Sequence, residues 1–211
     1  MYLSRIPLNT RLRNTMAALA SPNIIHGCVE DALDRQDSRT LWRIDKLQGN
    51  SYLLILSQEK PNLLHIAAQF GDKGEPGLCR PYDKFVSSLE QGQRCLFRLT
   101  ANPIYSQPSN TRDRGRVSAC VTVARQRDWL LKRAEAAGFE LAPEAFEVVD
   151  RQWKRFYRSA SKERGKQVTL STASYEGELR ITDVEAFRRV LCEGLGRARA
   201  YGCGLLTVIK L

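Results

Sequence analysis

The chain has 211 residues, of which 43% are hydrophobic and 27% charged, so we expect a packed core and exclude wholesale disorder. No apolar run approaches the ~20 residues of a membrane span, and the first residues lack the long apolar stretch of a secretory signal. Six scattered cysteines without a C-x-x-C pair argue against a zinc site or a disulfide framework. We therefore expect a cytoplasmic protein of one or two domains, with no membrane partner.

Positive charge is unevenly distributed along the chain, whose net charge is +10. Residues up to Gly92 include 11 Lys and Arg and 10 Asp and Glu. Residues from Gln93 onward include 22 Lys and Arg and 13 Asp and Glu. Even dispersion of charge for solubility would not produce this asymmetry. We therefore expect the second half of the chain to hold a polyanionic partner.

The first elements in chain order are a strand, a helix and a hairpin. The apolar pattern of Met1–Leu8 predicts a strand, and Ser21 followed by Pro22 predicts the start of a helix. Two apolar-rich runs, Leu41–Leu47 and Ser51–Ser57, flank a glycine-containing turn and predict a β-hairpin. This order is the first half of a ferredoxin-like βαββαβ unit.

His26 lies on the predicted helix, one residue past Ile25 and therefore at the edge of the apolar stripe that Ile25 and Val29 begin. Its stem would be anchored while its imidazole faces a cleft. Histidine titrates near neutrality, so it can take a proton from a hydroxyl or give one to a leaving oxygen. A lone histidine on a helix is more often structural, so this pattern alone leaves both roles open.

The remainder of the first half carries weaker signals. His65 lies in the apolar run Leu63–Ala68, where we expect a packed, hydrogen-bonded histidine rather than a catalytic one. The stretch Gly71–Pro81 holds three glycines and two prolines, which predicts a loop. We place the first domain over residues 1–92.

The sequence pattern of the second half predicts a comparable set of elements. Its strands are predicted at Arg94–Pro103, Val168–Thr172, Gly177–Ile181 and Leu205–Leu211. A helix is predicted over Gln126–Ala137, ending at Gly138, and a capping box formed by Thr182 and Glu185 predicts another. The whole chain is therefore predicted to be α+β, with two tandem ferredoxin-like domains over residues 1–92 and 93–211.

The most basic window is Arg151–Lys166, which holds seven Lys and Arg against Glu163 alone. A strand follows it, so we predict a hairpin whose tip, Ser159–Lys166, grips phosphates along an RNA stem. The candidate RNA-binding residues are Arg155, Arg158, Lys162 and Arg164. The interleaved aromatic side chains are Trp153, Phe156 and Tyr157, and we expect them to pack inward rather than stack on bases.

Four glycines frame Arg197 and Arg199 in the stretch 194–204, between a helical segment and the closing strand. Backbone N–H groups and guanidinium groups could meet a phosphate there together. The spacing matches neither nucleotide-binding glycine fingerprint. A glycine-rich turn with two solvated arginines is an equally acceptable interpretation.

Several stretches, spread from end to end, together carry a family resemblance. They are Met1–Arg5, Leu41–Asp45, Phe97–Pro103, Tyr175–Gly177 and the glycine-rich Gly194–Leu206, GLGRARAYGCGLL. Their order and spacing resemble the CasE family of CRISPR RNA-processing endoribonucleases, subunits of the type I-E Cascade complex. The resemblance covers essentially the whole chain.

The resemblance implies specific roles for residues of this sequence. Members of the family carry their active-site histidine on the first helix, which is His26 here, and a basic side chain of a second-domain hairpin helps at the scissile phosphate. The candidates for that side chain are, in order, Lys166, Arg164 and Lys162. Relatives often have a tyrosine three residues before the histidine, whereas this chain has Asn23. The sequence leaves open what, if anything, replaces the phenol.

The implied activity is cleavage of CRISPR repeat stem-loops in precursor RNA without metal or other cofactor. The 2′-OH of the RNA attacks the adjacent phosphate and leaves a 2′,3′-cyclic phosphate and a 5′-OH. The implied partners are the precursor repeat hairpin, the mature guide RNA and other Cascade subunits. Two alternatives remain open: a guide-RNA-binding subunit that does not cut, as Asn23 allows, and an RNA-binding protein unrelated to CRISPR.

Overall fold

The computed structural model describes residues 1–34, 40–72, 74–107, 116–157 and 167–211. It is a mixed α+β fold with two main antiparallel sheets, one in each half of the chain, and a small two-stranded sheet. Across these ranges, none of the helices has the length and hydropathy needed to cross a membrane.

The first half forms a four-stranded sheet with helices between its strands. Its elements are β1 (Tyr2–Leu8), α1 (Arg13–Ala20), α2 (Pro22–Asp31), β2 (Leu41–Leu47), β3 (Asn50–Ser57), α3 (Leu63–Phe70), β4 (Leu78–Pro81) and α4 (Asp83–Ser87). The strand order is β2-β3-β1-β4, and every neighbouring pair is antiparallel. The predicted first strand and hairpin are confirmed.

The second half forms a larger sheet. Its elements are β5 (Arg94–Ala101), β6 (Ile104–Gln107), β7 (Arg116–Ala119), α5 (Val123–Ala134), β8 (Phe139–Glu140), β9 (Phe146–Tyr157), β10 (Gln167–Ile181), α6 (Val184–Glu193) and β11 (Leu206–Lys210). The order is β11-β5-β10, and both β9 and β8 pair with β10. Strands β6 and β7 pair separately.

Several elements differ from the sequence prediction. Residues 13–20 form helix α1, which was not predicted, and the last residues of the predicted loop Gly71–Pro81 form edge strand β4 on β1. The two strands predicted at Val168–Thr172 and Gly177–Ile181 are one strand, β10, with an irregularity between Ser174 and Tyr175. The capping box predicted from Thr182 and Glu185 is also wrong, because Asp183 caps α6.

Each sheet packs one face on its helices. In the first half, Ile6, Leu53 and Ile55 are fully buried beneath Ile25 and Val29 of α2, so the predicted apolar stripe is confirmed. In the second half the corresponding core is larger. It contains Phe97, Leu99, Trp129, Leu130, Phe139, Phe146, Tyr175, Phe187 and Leu191.

The two halves meet at a buried polar contact. Arg43 of β2 is 1% exposed, and its guanidinium donates to the backbone carbonyls of Arg98 and Leu205, each at 2.8 Å. The same group forms a two-pronged pair with the carboxylate of Asp45, at 2.7 and 2.8 Å, and donates to Thr207 Oγ1. One side chain of the first sheet therefore holds two strands of the second.

Candidate active site and nucleic-acid interface

Helix α2 presents His26 at the margin of the core. Pro22 stands at the first helical position and buried Ile25 and Val29 hold the helix on its sheet. The His26 side chain is 33% exposed, and its Nε2 lies 3.2 Å from Oε1 of Glu30, one turn farther along the helix. The side chain is thus two-thirds buried at the edge of the apolar stripe, and the remainder of its surface is exposed.

Asn23 lies one turn before His26, at the position where relatives often have tyrosine. Its Oδ1 accepts a hydrogen bond from Ser21 Oγ at 2.7 Å, and Ser21 makes no capping bond to the helix backbone. Ser21 therefore occupies the predicted cap position, but its hydroxyl donates to Asn23 rather than accepting from a backbone N–H of the helix.

The glycine-rich segment, residues 194–204, is a tight loop that packs on the first half of the chain. Gly194 and Gly202 have φ of 82° and 80°, and a Cβ at Gly202 would lie 2.6 Å from Cζ3 of Trp42. Both properties require glycine. Arg199 donates to the carbonyls of Gly196 and Gly194, at 3.2 and 3.0 Å, so its guanidinium braces the loop.

The same segment links the histidine helix to the β9–β10 hairpin. Its helical turn Arg199–Tyr201 contacts α2. On the other side, the Tyr201 ring meets Phe156 of β9 edge to face, with centroids 4.9 Å apart, and Cys203 packs in the same cluster. Helix α2, which carries His26, and the end of β9 that leads into the predicted hairpin tip therefore both lie against the glycine-rich segment.

Strands β9 and β10 pair up to Tyr157 and Gln167, which confirms the hairpin on either side of the predicted tip. Along β9 the side chains alternate. Trp153 and Tyr157 are 58% and 59% exposed, and Arg155 between them is exposed as well. The expectation that the aromatic side chains pack inward is correct for Phe156 and wrong for the other two.

Lys154 belongs to the opposite side of β9, beside the glycine-rich segment. Burial lowers its pKa, while Cys203 and Asp150 act in the other direction. Burial raises the pKa of the Cys203 thiol to about 12, an effect that Lys154 partly offsets. Lys154 was not among the predicted site residues, although the period-two alternation of a strand separates it from Arg155.

The predicted site residues divide into two groups. His26, Arg155, Arg197 and Arg199 are described, and Arg197 is exposed. The other candidates lie outside the described residues. They are Arg158, Lys162, Arg164 and Lys166. Among the side chains that the structure does describe, no three His, Cys, Asp or Glu residues cluster closely enough to hold a metal ion.

Comparison with known proteins identifies the family. The sequence profile described as CRISPR associated protein matches residues 1–210. The chain belongs to this CRISPR-associated family. It is 30% identical to the CRISPR-associated endoribonuclease Cse3 of Thermus thermophilus over 99% of both chains. It is also 30% identical to the Cascade subunit CasE of Escherichia coli, over 58% of this chain and 61% of that protein.

Solved structures of the CRISPR-associated family share the fold. A Cse3 endoribonuclease bound to a 19-nucleotide RNA superposes with a TM-score of 0.78 at 26% identity, covering 99% of this chain and all of the other. The agreement extends over both sheets, because the whole length of each chain is matched.

Proposed function

We propose that the chain is a CRISPR-associated endoribonuclease that cleaves repeat stem-loops in precursor RNA and stays bound to the guide RNA as a Cascade subunit. The observation that carries this function is the full-length similarity to Cse3, an endoribonuclease whose solved structure holds RNA. The excess of positive charge in the second half supports an RNA ligand. The scattered cysteines suit a reducing cytoplasm.

We propose further that the chain is two tandem ferredoxin-like domains, with a boundary between residues 92 and 93. The order β2-β3-β1-β4 supports this for the first half, because the two outer strands each follow a helix. The order β11-β5-β10-β9 supports it for the second, where α5 and α6 occupy the two crossover positions. Arg43 would then be a contact between domains.

In the proposed reaction His26 is the general acid or base. As a base it takes the proton of the attacking 2′-OH, and as an acid it gives a proton to the leaving 5′ oxygen. A basic residue of the hairpin tip, Lys166 first and then Arg164 or Lys162, stabilises the negative charge that develops on the phosphate. The partial exposure of His26 supports this assignment, since the imidazole is open to a substrate.

Phosphate contacts are proposed for the exposed cations of the second half. Arg155 is flanked by two exposed aromatic side chains, Trp153 and Tyr157, a pattern that suits a nucleic-acid strand. Arg197, which is exposed on the glycine-rich segment, is proposed to make a separate phosphate contact. Arg158 lies outside the described residues and is proposed as a further RNA-binding residue. Arg199 uses two donors on the glycine-rich segment, and a guanidinium has five, so it retains capacity for a phosphate.

A non-catalytic guide-RNA-binding subunit is the second candidate, because Asn23 supplies no phenol. Incubation of the protein with its repeat hairpin in EDTA separates the two functions. Metal-independent cleavage predicts two fragments, one of them ending in a cyclic phosphate, whereas a binding subunit predicts an intact band that migrates more slowly. A protein without preference for the repeat hairpin over unrelated stems at raised salt would contradict both.

A further inference from the structure

Two adjoining cavities lie where helix α5 meets β6 and the glycine-rich segment. Their volumes are about 150 and 430 Å³. They share four lining residues, which are Ile104, Tyr105, Trp129 and Arg133. We call the two together the α5 pocket. The larger cavity alone falls in the range of small-molecule sites.

The α5 pocket is strongly basic. Its lining cations are Arg125, Lys132, Arg133 and Arg197. Asp128 is the carboxylate among its lining residues, and none of the four cations forms an ion pair with a carboxylate of the described residues. Four positive charges around one concave site are suited to a ligand that carries phosphate.

Aromatic rings complete the pocket. The Arg125 guanidinium lies 5.4 Å from the ring centroid of Tyr105, and Arg133 lies 4.3 Å from that of Trp129. Trp129 is 4% exposed, and its indole N–H has no hydrogen-bond partner among the described residues. A buried donor without a partner is uncommon and points to a ligand or water that completes it.

We propose that the α5 pocket binds one unpaired nucleotide of the RNA, adjoining the stem-loop that the chain recognises. The Tyr105 ring stacks on the base, and Arg133 and Arg197 bind the phosphate. This inference rests on the proposed RNA-processing function. An unpaired base offers a free face to an aromatic ring, whereas the bases of a duplex are stacked on one another.

The position of the pocket supports a continuous RNA path. Gly196 and Arg197 line its smaller cavity, and the turn Arg199–Tyr201 of the same segment contacts α2, which carries His26. The chain advances at most ~3.8 Å per residue, so pocket and helix contact lie close together. The proposed RNA strand would run from the stem at helix α2 to the pocket along this short segment.

The test compares the affinities of three RNAs at one salt concentration: the repeat stem-loop alone, and the same stem-loop with a short unpaired extension on its 5′ or its 3′ side. We expect at least one extended RNA to bind about tenfold more tightly than the stem-loop, the gain expected from stacking one base. Tyr105→Ala should reduce this ratio to near one, and Tyr105→Phe should preserve it because the ring remains. Arg133→Gln should reduce it as well.

Tyr52→Ala is the matched control, since Arg5 lies 5.2 Å from that ring in the first half of the chain. It should keep the wild-type ratio. Equal affinities of all three RNAs for the wild-type protein, or an unchanged ratio in Tyr105→Ala, would overturn the pocket assignment while leaving the endoribonuclease function intact. If AMP alone competes for the pocket as well as the unpaired extension does, the pocket would instead be assigned to a free nucleotide. Failure to bind any stem-loop would contradict the proposed function itself.

Discussion

His26 Nε2 lies 3.2 Å from Oε1 of Glu30, one turn along the same helix. Glu30 is 48% exposed, so water screens the pair. Pairs of this spacing on a helix surface contribute about 0.3–0.5 kcal/mol. The contact orients the imidazole only weakly, and the ring remains able to turn toward a substrate.

Glu30→Ala should therefore change the single-turnover cleavage rate by about twofold, the equivalent of that small energy. The dissociation constant for the repeat hairpin should stay the same. Rapid-quench cleavage and filter binding measure the two quantities. A loss of rate near a hundredfold would show instead that Glu30 is essential to the action of the histidine.

Arg43→Met should destabilise the protein by about 3 kcal/mol, because it removes the two-pronged partner of the partly buried Asp45 carboxylate and the guanidinium donor to the backbone carbonyls of Arg98 and Leu205. Urea unfolding measures the change. Arg94→Met is the control, since Arg94 is 65% exposed in its pair with Glu178 and such pairs contribute less than about 1 kcal/mol. Equal losses in the two variants would contradict the importance of the buried contact.

Gly202→Ala separates backbone strain from packing. Gly202 and Gly92 have nearly equal φ, 80° and 81°, but a Cβ meets Trp42 at Gly202 and nothing within 4 Å at Gly92. Gly92→Ala should cost about 1–2 kcal/mol for the left-handed backbone alone. Gly202→Ala should exceed it by about 1–3 kcal/mol, because the methyl group displaces the indole. Similar unfolding free energies for the two variants would disprove the close approach.

The outer side of β9 should combine charge and stacking in RNA binding. Arg155→Gln should lower the slope of log affinity against log salt by about 0.7–0.9, the loss of one phosphate contact. Trp153→Ala should weaken binding by about tenfold and leave the slope unchanged, because a stacked ring releases no counterion. Titrations at several salt concentrations test both expectations. A steeper dependence in Arg155→Gln would exclude a phosphate contact there.

Elements with strong local signals could be predicted from the sequence. The helix at Pro22 and the hairpin after Leu41 follow from a helix-start residue and from alternation of apolar side chains. Helix α1 was missed because Leu12, at its cap position, makes no side-chain capping bond. What holds α1 is tertiary: Thr15 is buried and its Oγ1 donates to the carbonyl of Phe70 at 3.0 Å.

Other differences arise from contacts distant in sequence. Leu78–Pro81 becomes a strand only because β1 pairs with it. A separate strand was predicted to begin at Gly177, yet this residue lies within β10, where a Cβ would collide with the backbone of Ala145 and Phe146. In the site, the edge position of His26 followed from helical periodicity, whereas its proximity to the glycine-rich segment depends on how the two halves pack.

The most direct test of the account is cleavage of the repeat hairpin by His26→Ala in EDTA, with the other histidine as its matched control. His65 lies on α3 with its Nε2 at 3.0 Å from Gln69 Nε2. His26→Ala should lower the cleavage rate by about 10²–10⁴-fold with RNA affinity within twofold of wild type, and His65→Ala should cleave normally. Cleavage by His26→Ala at the wild-type rate would contradict the assignment of the reaction to this imidazole.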